Sequence, residues 1–492
     1  MGVPVRPAAA PANAAPEGES PSAILGPQVL DVLELTRLDT QSVDIRDNQV
    51  TIRTAGSPSP EQVARTAEML AERLPRAQLS ILDGTGMPVR IPEPSREEGN
   101  RAEGEQIFNA LSVYGFEGRR YFVARDHATL VFSQSSYRQG AKPIGRAARV
   151  LANYAPPHVE FFTLILMDND LPTEKITLLR KDVEKAANGL GSADESWTNV
   201  EAAGEHKAPW RMSYDVGAFP HLRQSLGGPD SFLLYQLYME PTVSVRLFSG
   251  FRVEASAGVN IVNNYEKFTY EAPSNMPRVR TRVRDYVKGG DIWVQSLHAD
   301  YAFPIIPEWY GAVSAGLFEQ MYGGVAGEVL YRPQGARWAL GLDVNHVWQR
   351  TPGETAAFDP YHITTGHLSY YHLTPYHDVY YTLSAGRYLA GDVGVTGVLG
   401  RRLENGVEIG IWATKTNVSA AEFGEGSFDK GMYVRIPLDL FYTSPSRQSA
   451  AFPFRPLIRD GGQKVATPLS LHGMTGGFKQ GASDDGWRDM WR

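Results

Sequence analysis

The feature that most constrains the fold is a strict alternation of apolar and polar side chains in the second half of the chain. From about residue 205 onward, every second side chain is apolar over successive runs, as in Trp338–Asn345 and Met432–Leu440. A period of two is typical of a β-strand with one apolar face. The runs last about 9–11 residues, the length of a strand that crosses a bilayer at a tilt.

Alternation alone leaves two architectures open: a membrane β-barrel, and a soluble β-sandwich or solenoid that buries the apolar face. The polar faces are rich in glycine and charge, which suits a wet lumen, and a sheet of this size usually closes or splits. Aromatic residues also gather near the predicted strand ends, as at a membrane interface. They are Trp293, Trp309, Tyr310, Tyr322, Tyr331, Trp348, Tyr370, Tyr371 and Tyr380. We therefore predict a mainly β chain with an outer-membrane antiparallel β-barrel of about 12–14 strands over residues 205–445.

A β-β-α-β pattern occurs twice before the barrel. In the first copy, Ser42–Thr54 reads as two strands around a turn, a helix follows, and Gln78–Leu82 is a third strand. In the second copy, Tyr121–Ser133 and Glu160–Met167 flank a helix that stops at Pro156. The matching order of elements predicts two small periplasmic α/β units that arose by duplication.

The predicted organisation has five parts. A disordered segment over residues 1–35, rich in alanine and proline, precedes α/β units at residues 36–110 and 111–195. The second unit is predicted to end in a helix over Pro172–Ala187. After the barrel, a tail over residues 446–492 either returns to the periplasm or packs in the lumen.

Composition excludes several function classes. The net charge is −7 and charged residues make up 21% of the chain, so nothing indicates a nucleic-acid partner. The chain has no cysteine, which excludes thiol catalysis, disulfides and thiolate metal sites. No apolar run reaches the roughly 18 residues of a transmembrane helix.

Several sequence motifs near the end of the predicted barrel indicate one family. They are Gly386–Gly394, Asn405–Gly410, Ala413–Val418, Phe423–Gly431 and Ile436–Phe441, with Arg459–Gln463 after them and Pro143–Arg149 in the second α/β unit. These motifs resemble those of the YjbH family of exopolysaccharide-associated outer-membrane proteins, which includes the group-4-capsule outer-membrane component. The resemblance covers about residues 110–470. Because family members are longer, the chain resembles the C-terminal part of a member or one half of a split member.

The resemblance implies a β-barrel in the cell outer membrane, with a periplasmic domain, that works beside a polysaccharide export channel. Its partners would be outer-membrane lipid, the polysaccharide, the channel with accessory periplasmic proteins, and a second barrel chain if the protein is split. The family supplies no catalytic residues, so we expect no enzyme activity, cofactor or metal. The alternatives are a secreted all-β carbohydrate-active enzyme and a structural scaffold for a partner barrel.

The residues that best suit contact with a glycan lie in the last predicted strands and the loop between them. They combine carboxylates, cations and aromatic faces, which can bind or pass a glycan without covalent chemistry. These glycan-contacting or lumen candidates are Arg387, Glu408, Trp412, Lys415, Asn417, Glu422, Phe423, Glu425, Asp429 and Lys430. The plainer interpretation is an ordered loop whose acidic groups pair with Lys415, Lys430 and Arg387 inside the lumen.

Two further clusters have simpler explanations than catalysis or metal binding. Asp168-Asn169-Asp170 follows a buried strand, as metal-binding Asp-x-Asp does in glycosyltransferases, but a helix N-terminus before Pro172 explains both acids. Four histidines recur at a spacing of five residues, and an odd spacing sends neighbours to opposite faces of a strand, which opposes a shared metal. They are His362, His367, His372 and His377.

Overall fold

The computed structural model describes residues 29–30, 32–33, 36–46, 49–73, 78–90, 101–134, 137–138, 141–168, 171–190, 197–202, 212–226, 231–269, 276–423, 428–441, 446–456 and 459–476. The chain forms two compact units, residues 1–98 and 99–492. No helix in the described ranges combines the length and the apolar character needed to cross a membrane.

The first compact unit contains one β-β-α-β motif, as predicted. Its elements are β1 (Thr40–Arg46), β2 (Gln49–Thr54), α1 (Pro60–Arg73) and β3 (Gln78–Leu82). β1 and β2 form an antiparallel hairpin, and α1 carries the chain over so that β3 pairs parallel to β2. Val29 and Val32, from the segment predicted to be disordered, pack with Ile52 in the core. Residues 1–28 of that segment lie outside the described residues.

The second compact unit begins with the same motif. Its elements before the barrel are α2 (Arg101–Ser112), β4 (Phe116–Ala124), β5 (His127–Gln134), α3 (Ala141–Tyr154), β6 (Phe161–Asp168), β7 (Leu171–Leu179), α4 (Arg180–Ala187) and β8 (Trp197–Ala202). β4 and β5 form the hairpin, and α3 carries the chain to β6, which pairs parallel to β5. The shared topology agrees with the predicted duplication. β7 and β8 extend the sheet to the order β4-β5-β6-β7-β8.

The predicted helix over Pro172–Ala187 is wrong in its first half. Leu171–Leu179 is β7, which pairs antiparallel with β6, and the helix begins only at Arg180. Ile176 and Leu178 are both fully buried, and a spacing of two places them on one face of a strand. Asp168 therefore precedes a strand and not a helix, and Asn169 and Asp170 lie outside the described residues.

Thirteen described strands form one antiparallel sheet in which strands adjacent in sequence are paired. They are β9 (Ser213–Leu226), β10 (Leu233–Phe248), β11 (Phe251–Asn263), β12 (Ile292–Ile306), β13 (Trp309–Leu317), β14 (Tyr322–Tyr331), β15 (Trp338–Arg350), β16 (Phe358–Leu373), β17 (Val379–Arg387), β18 (Val393–Arg402), β19 (Glu408–Thr416), β20 (Asp429–Pro437) and β21 (Ser449–Phe454). Short helices lie between or after them: α5 (Val283–Lys288), α6 (Ala420–Phe423) and α7 (Leu471–Met474).

The sheet curls into a nearly closed barrel. Across its seam, the side-chain amide of Gln224 on β9 donates to the Pro453 carbonyl of β21 (3.3 Å). The strand number confirms the prediction of about 12–14 strands. The barrel continues past the predicted end at residue 445, because β21 pairs with β20.

The alternating apolar face points out of the barrel. On β15, Leu340, Leu342 and Val344 are 38%, 49% and 50% exposed. The inner face is polar, and side chains there bridge neighbouring strands, as the Ser369 and Ser384 hydroxyls do (2.8 Å). A β-sandwich buries its apolar face between two sheets, so this exposure rules out the sandwich and agrees with a single sheet that curls into a barrel.

The two ends of the barrel differ. At one end, here called the domain mouth, most strands join through short turns such as residues 249–250 and 307–308, and residues 438–448 are the longer exception. At the other end, the loop mouth, connections are longer, including residues 264–291 and 417–428.

The second α/β unit docks on the domain mouth. Arg138 donates two hydrogen bonds to Asp439 in the β20–β21 connection (3.0 and 2.9 Å). Gln334, in the β14–β15 turn, donates to Glu174 of β7 (2.6 Å). These contacts hold the α/β sheet against the barrel opening.

Aromatic side chains line the outside of the domain mouth. Trp309 stacks on Tyr331 with ring centroids 4.8 Å apart, and Trp338 lies 5.8 Å from Tyr331. The predicted interfacial girdle is wrong for Tyr310 and Tyr322, which are 2% and 0% exposed and face the lumen, and for Tyr371, which packs inside the barrel. Nearness to a strand end does not fix the face, because the face alternates with every residue.

Candidate functional site

Two segments of the chain itself fill the barrel lumen. The inner loop is the connection between β11 and β12 (residues 264–291, of which 270–275 lie outside the described residues). The lumen tail is the described part of the C-terminal tail that follows β21 (residues 459–476). Val283 and Tyr286 of the inner loop share one buried apolar cluster with Tyr322 and Val347 of the barrel wall and Val465 of the lumen tail. The sequence left two locations for the tail, the periplasm and the lumen, and residues 459–476 lie in the lumen.

Asp460 joins the lumen tail to the inner loop. Its carboxylate accepts from the backbone N–H groups of Arg280 and Thr281 (2.8 and 3.0 Å) and from the Thr281 hydroxyl (2.7 Å). The Arg280 guanidinium donates to Glu319 in the β13–β14 turn (2.7 and 2.9 Å) and to the Lys464 carbonyl (2.6 Å). Asp460 is 4% exposed, so these bonds replace the water that its charge would otherwise bind. Tail, loop and wall are held in one buried polar network.

The lumen tail continues to the domain mouth. The His472 ring stacks on Tyr371 of β16 with centroids 3.8 Å apart, and Arg332 donates to the Thr475 hydroxyl (3.0 Å). Burial, reinforced by nearby arginines, lowers the pKa of His472 well below its usual 6.5. The ring is therefore neutral at neutral pH.

At the domain mouth, tail, barrel and α/β unit meet in one cluster. Leu471 packs with Leu171 of β7 and with Tyr310 and Leu330 of the barrel. The Leu471 backbone N–H also donates to Glu328 of β14 (3.0 Å). The tail therefore spans the lumen from the loop mouth to the docked α/β sheet.

The space left beside the tail is small. A cavity of about 20 Å³ holds roughly one water molecule. Its lining includes Glu328, Asp343, Asn345, Thr467 and Leu469. Ligand pockets usually measure about 300–1,000 Å³, so this cavity does not admit a sugar chain while the tail is in place.

Among the candidates for glycan contact, Trp412 and Asp429 meet inside the lumen. The Trp412 indole N–H donates to Asp429 (3.0 Å), and the Gln463 amide donates to the other carboxylate oxygen (3.1 Å). The Arg455 guanidinium lies over the Trp412 ring, 5.5 Å from its centroid, and 3.4 Å from Asp429. Gln463 belongs to the lumen tail, so the tail covers the Trp412–Asp429 pair.

Glu408 lies on β19, the strand of Trp412, but at the domain-mouth end. It is 7% exposed at the domain mouth and pairs with Arg402 (2.6 Å) and Arg435 (3.0 Å). It shares no contact with Trp412 or Asp429, so the structure separates carboxylates that the sequence grouped together.

Arg387, Lys415 and Lys430 are exposed on the outer face of the barrel. The predicted location of these cations inside the lumen is therefore wrong. Their strand positions have the same parity as Leu383 and Ile411, which are 50% and 54% exposed. Residues two positions apart in a strand lie on the same face, so these cations lie on the outer face with the apolar side chains.

The remaining candidates lie in the loop of residues 417–428. Asn417 accepts from the Val393 backbone N–H (2.9 Å). Glu422 accepts from the Ser419 backbone N–H (3.0 Å) and hydroxyl (2.8 Å), and these bonds lower the pKa of Glu422. Phe423 lies against Gly461 of the lumen tail, where a Cβ would come within 2.9 Å of the ring. Glu425 lies outside the described residues.

The histidines of β16 alternate as their spacing predicts. His362 is exposed on the outer face, whereas His367 is 2% exposed and contacts Asp343 in the lumen (3.2 Å). Within the described ranges, no three His, Asp or Glu side chains gather as metal ligands.

The sequence alone did not identify the residues that hold the inner loop and the lumen tail in the barrel, chiefly Arg280, Asp460 and Gln463. Arg459–Gln463 stood out only as part of a family phrase. Its Asp-Gly-Gly sequence is that of an ordinary turn, and no local pattern indicates that it enters a barrel.

Comparison with known proteins identifies the family of the chain. A family model described as exopolysaccharide biosynthesis protein YbjH, of the YjbH family, matches residues 34–476. The chain is 38% identical over 360 residues to a protein of Escherichia coli strain K12 named uncharacterized lipoprotein YjbH. The match covers 70% of this chain and 51% of that protein, so the chain spans about half the length of the curated relative it matches.

Proposed function

Because the chain belongs to the YjbH family of exopolysaccharide biosynthesis proteins, we propose that it is an outer-membrane β-barrel component of exopolysaccharide or capsule secretion. In this proposal the barrel carries its α/β units in the periplasm, handles the glycan without covalent chemistry, and is closed at rest by the lumen tail. The observation that carries the proposal is the apolar outer face of the barrel.

That outer face suits lipid and not water. Val325, Leu368 and Val395 on three different strands are 51%, 58% and 49% exposed. Fully burying such a side chain is worth about 1.5–3 kcal/mol, so covering the exposed half with lipid is worth about 1 kcal/mol each. Stacked aromatics at the domain mouth match the belt found where a barrel meets headgroups. The relative's printed name, lipoprotein, also fits a protein attached to a membrane.

The orientation follows from the two mouths. Outer-membrane barrels have short periplasmic turns and longer outside loops. The short-turn end of this barrel bears the α/β unit, so we assign the domain mouth to the periplasm and the loop mouth to the outside. The α/β units are then available to an export channel and its accessory periplasmic proteins.

Glycan contact is proposed at two levels. At the loop mouth, Asn417 and Glu422 are exposed and would meet polymer outside the barrel. Inside, Trp412 and Asp429 offer a ring face and an acceptor, but only after the lumen tail has moved. The acidic candidates are held by protein partners, as Asp429 is by Trp412 and Gln463, whereas a glycosidase needs two carboxyls facing each other across a groove. We therefore propose binding or passage and not hydrolysis.

A scaffold for a partner barrel is a second candidate, favoured by the seam. β9 has 14 residues and β21 has 6, so much of the β9 edge faces no strand of equal length. Such an edge can pair with a strand from another chain.

The first test is the gel mobility of protein extracted from outer-membrane fractions, boiled and unboiled. A detergent-stable barrel migrates faster unboiled, and deletion of the gene should reduce exopolysaccharide in the medium. A soluble protein without a mobility shift would contradict the barrel role. A variant with Glu422→Gln, Glu425→Gln and Asp429→Asn tests the enzyme alternative, because only an enzyme has turnover of purified polymer to lose.

A further inference from the structure

Three cations lie on one side of the outer barrel surface at the loop mouth. Arg387 is the last residue of β17, Lys415 the last but one of β19, and Lys430 the second of β20. All three are exposed, and each occupies a position with the outward parity of its strand. We call them the outer basic patch.

The outer basic patch stands directly above an apolar surface. Leu383, Ile411 and Met432, on the same three strands, are 50%, 54% and 46% exposed. The side-chain nitrogen of Lys430 lies 4.7 Å from the centre of the Phe428 ring, so an aromatic group stands at the same level. Long cationic side chains with apolar stems and charged heads suit the boundary between hydrocarbon and headgroups.

Strand length sets the height of the patch. β17, β19 and β20 have nine residues each. Nine residues at about 3.3 Å, tilted by about 40°, rise about 23 Å, close to the roughly 25 Å apolar band of an outer-membrane barrel. The ends of these strands therefore lie at the level of lipid headgroups, and not in the water above them.

The patch is local. Val325 of β14 and Trp348 of β15, near the loop mouth on another side of the barrel, are 51% and 37% exposed and uncharged. The whole chain is acidic, with a net charge of −7. Cations gathered on one outer wall of an acidic protein favour an anionic partner at that wall.

We propose that the outer basic patch binds the phosphate groups of a phosphorylated glycolipid in the leaflet around the loop mouth. This inference rests on the proposed membrane function and adds the lipid class that one wall prefers. Arg387 can bind a phosphate through two N–H groups, and Lys415 and Lys430 add point charges. An acidic exopolysaccharide is the less favoured partner, because the patch faces lipid and not the lumen or the open mouth.

The test uses the full chain extracted from membranes into neutral detergent and titrated with phosphorylated lipid A or with its dephosphorylated form. The main variant carries Arg387→Gln, Lys415→Gln and Lys430→Gln. One control keeps the charges (Arg387→Lys, Lys415→Arg, Lys430→Arg), and a second changes an outward cation at the domain mouth, Arg401→Gln. Heat-modifiable mobility checks the fold of each variant.

Each cation near an anionic surface contributes roughly fivefold in affinity, so the triple glutamine variant should bind phosphorylated lipid A about 100-fold more weakly. Both controls should bind like the wild type, and the dephosphorylated lipid should bind all forms equally. Equal affinity of wild type and triple variant for phosphorylated lipid A would overturn the patch, as would loss of binding only to a soluble acidic polysaccharide. A wild-type chain without heat-modifiable mobility would overturn the proposed function and the patch with it.

Discussion

Asp460 should control whether the lumen tail stays in the barrel. Replacing it with alanine leaves two backbone N–H groups and one hydroxyl without their acceptor, in a region that is largely closed to water. An unsatisfied buried donor costs about 1–3 kcal/mol. Three donors that relax in part should together cost about 3 kcal/mol, or roughly 100-fold in the equilibrium between docked and released tail.

Hydrogen exchange of the barrel in detergent measures this equilibrium, because exchange of a locally opening segment follows its opening free energy. Peptides that cover residues 459–476 and 276–288 should exchange about 100-fold faster in Asp460→Ala, whereas peptides of β14 should not change. Thr467→Ala is the matched control within the tail, since that hydroxyl is exposed and donates only to the Leu469 carbonyl. Unchanged exchange in Asp460→Ala would refute the proposed role of Asp460 in holding the tail. Uniformly faster exchange would mean that the whole barrel had become less stable.

Three further outcomes are expected. Because the pKa of His472 is lowered in the docked tail, the released tail takes up the proton first, and docking should weaken as pH falls below about 6.5. In His472→Phe, the protection factors of the tail peptides, which are corrected for intrinsic exchange at each pH, should stay constant between about pH 7.5 and 5.5. Arg138 and Asp439 are partly exposed, so a double-mutant cycle on urea unfolding should give a coupling of about 1 kcal/mol, and a coupling near zero would show that other contacts dock the α/β unit. Gly386→Ala should abolish the heat-modifiable barrel, because its Cβ would meet a backbone oxygen of β16, whereas Gly397→Ala, with its nearest side-chain atom 3.8 Å away, should fold.

Much of the barrel could be predicted because its rule is local. The parity that separates Leu340 from its neighbours is visible in the sequence, and it fixes the outward face without knowledge of any distant contact. The same rule would have placed Lys415 outside, since it continues the outward series of Ile409 and Ile411. Grouping Lys415 with lumen acids by nearness in sequence ignored that parity.

The candidate site was harder to predict because its contacts are long-range. Asp460 binds residues about 180 positions earlier in the chain, and Gln463 covers Asp429 only because the tail turns back into the barrel. β7 was mistaken for a helix because Ile176, Leu179 and Val183 also fit a helical face. Pairing with β6 decides that ambiguity, and it is a tertiary contact.

The contacts that hold the inner loop and the lumen tail indicate which of the two moves first. The inner loop contributes Tyr265, Val279, Val283, Tyr286 and Val287 to its apolar cluster, whereas the lumen tail contributes only Val465. The rest of the tail near the loop mouth is held by hydrogen bonds, which water can replace at a net cost of about 0.5–1.5 kcal/mol each, whereas Leu471 packs in an apolar cluster at the domain mouth. Removing an apolar cluster from its neighbours costs more and has no such replacement. The part of the tail near the loop mouth should therefore leave its place before the inner loop moves, and a glycan that reaches Trp412 would displace Gln463 before it disturbs α5.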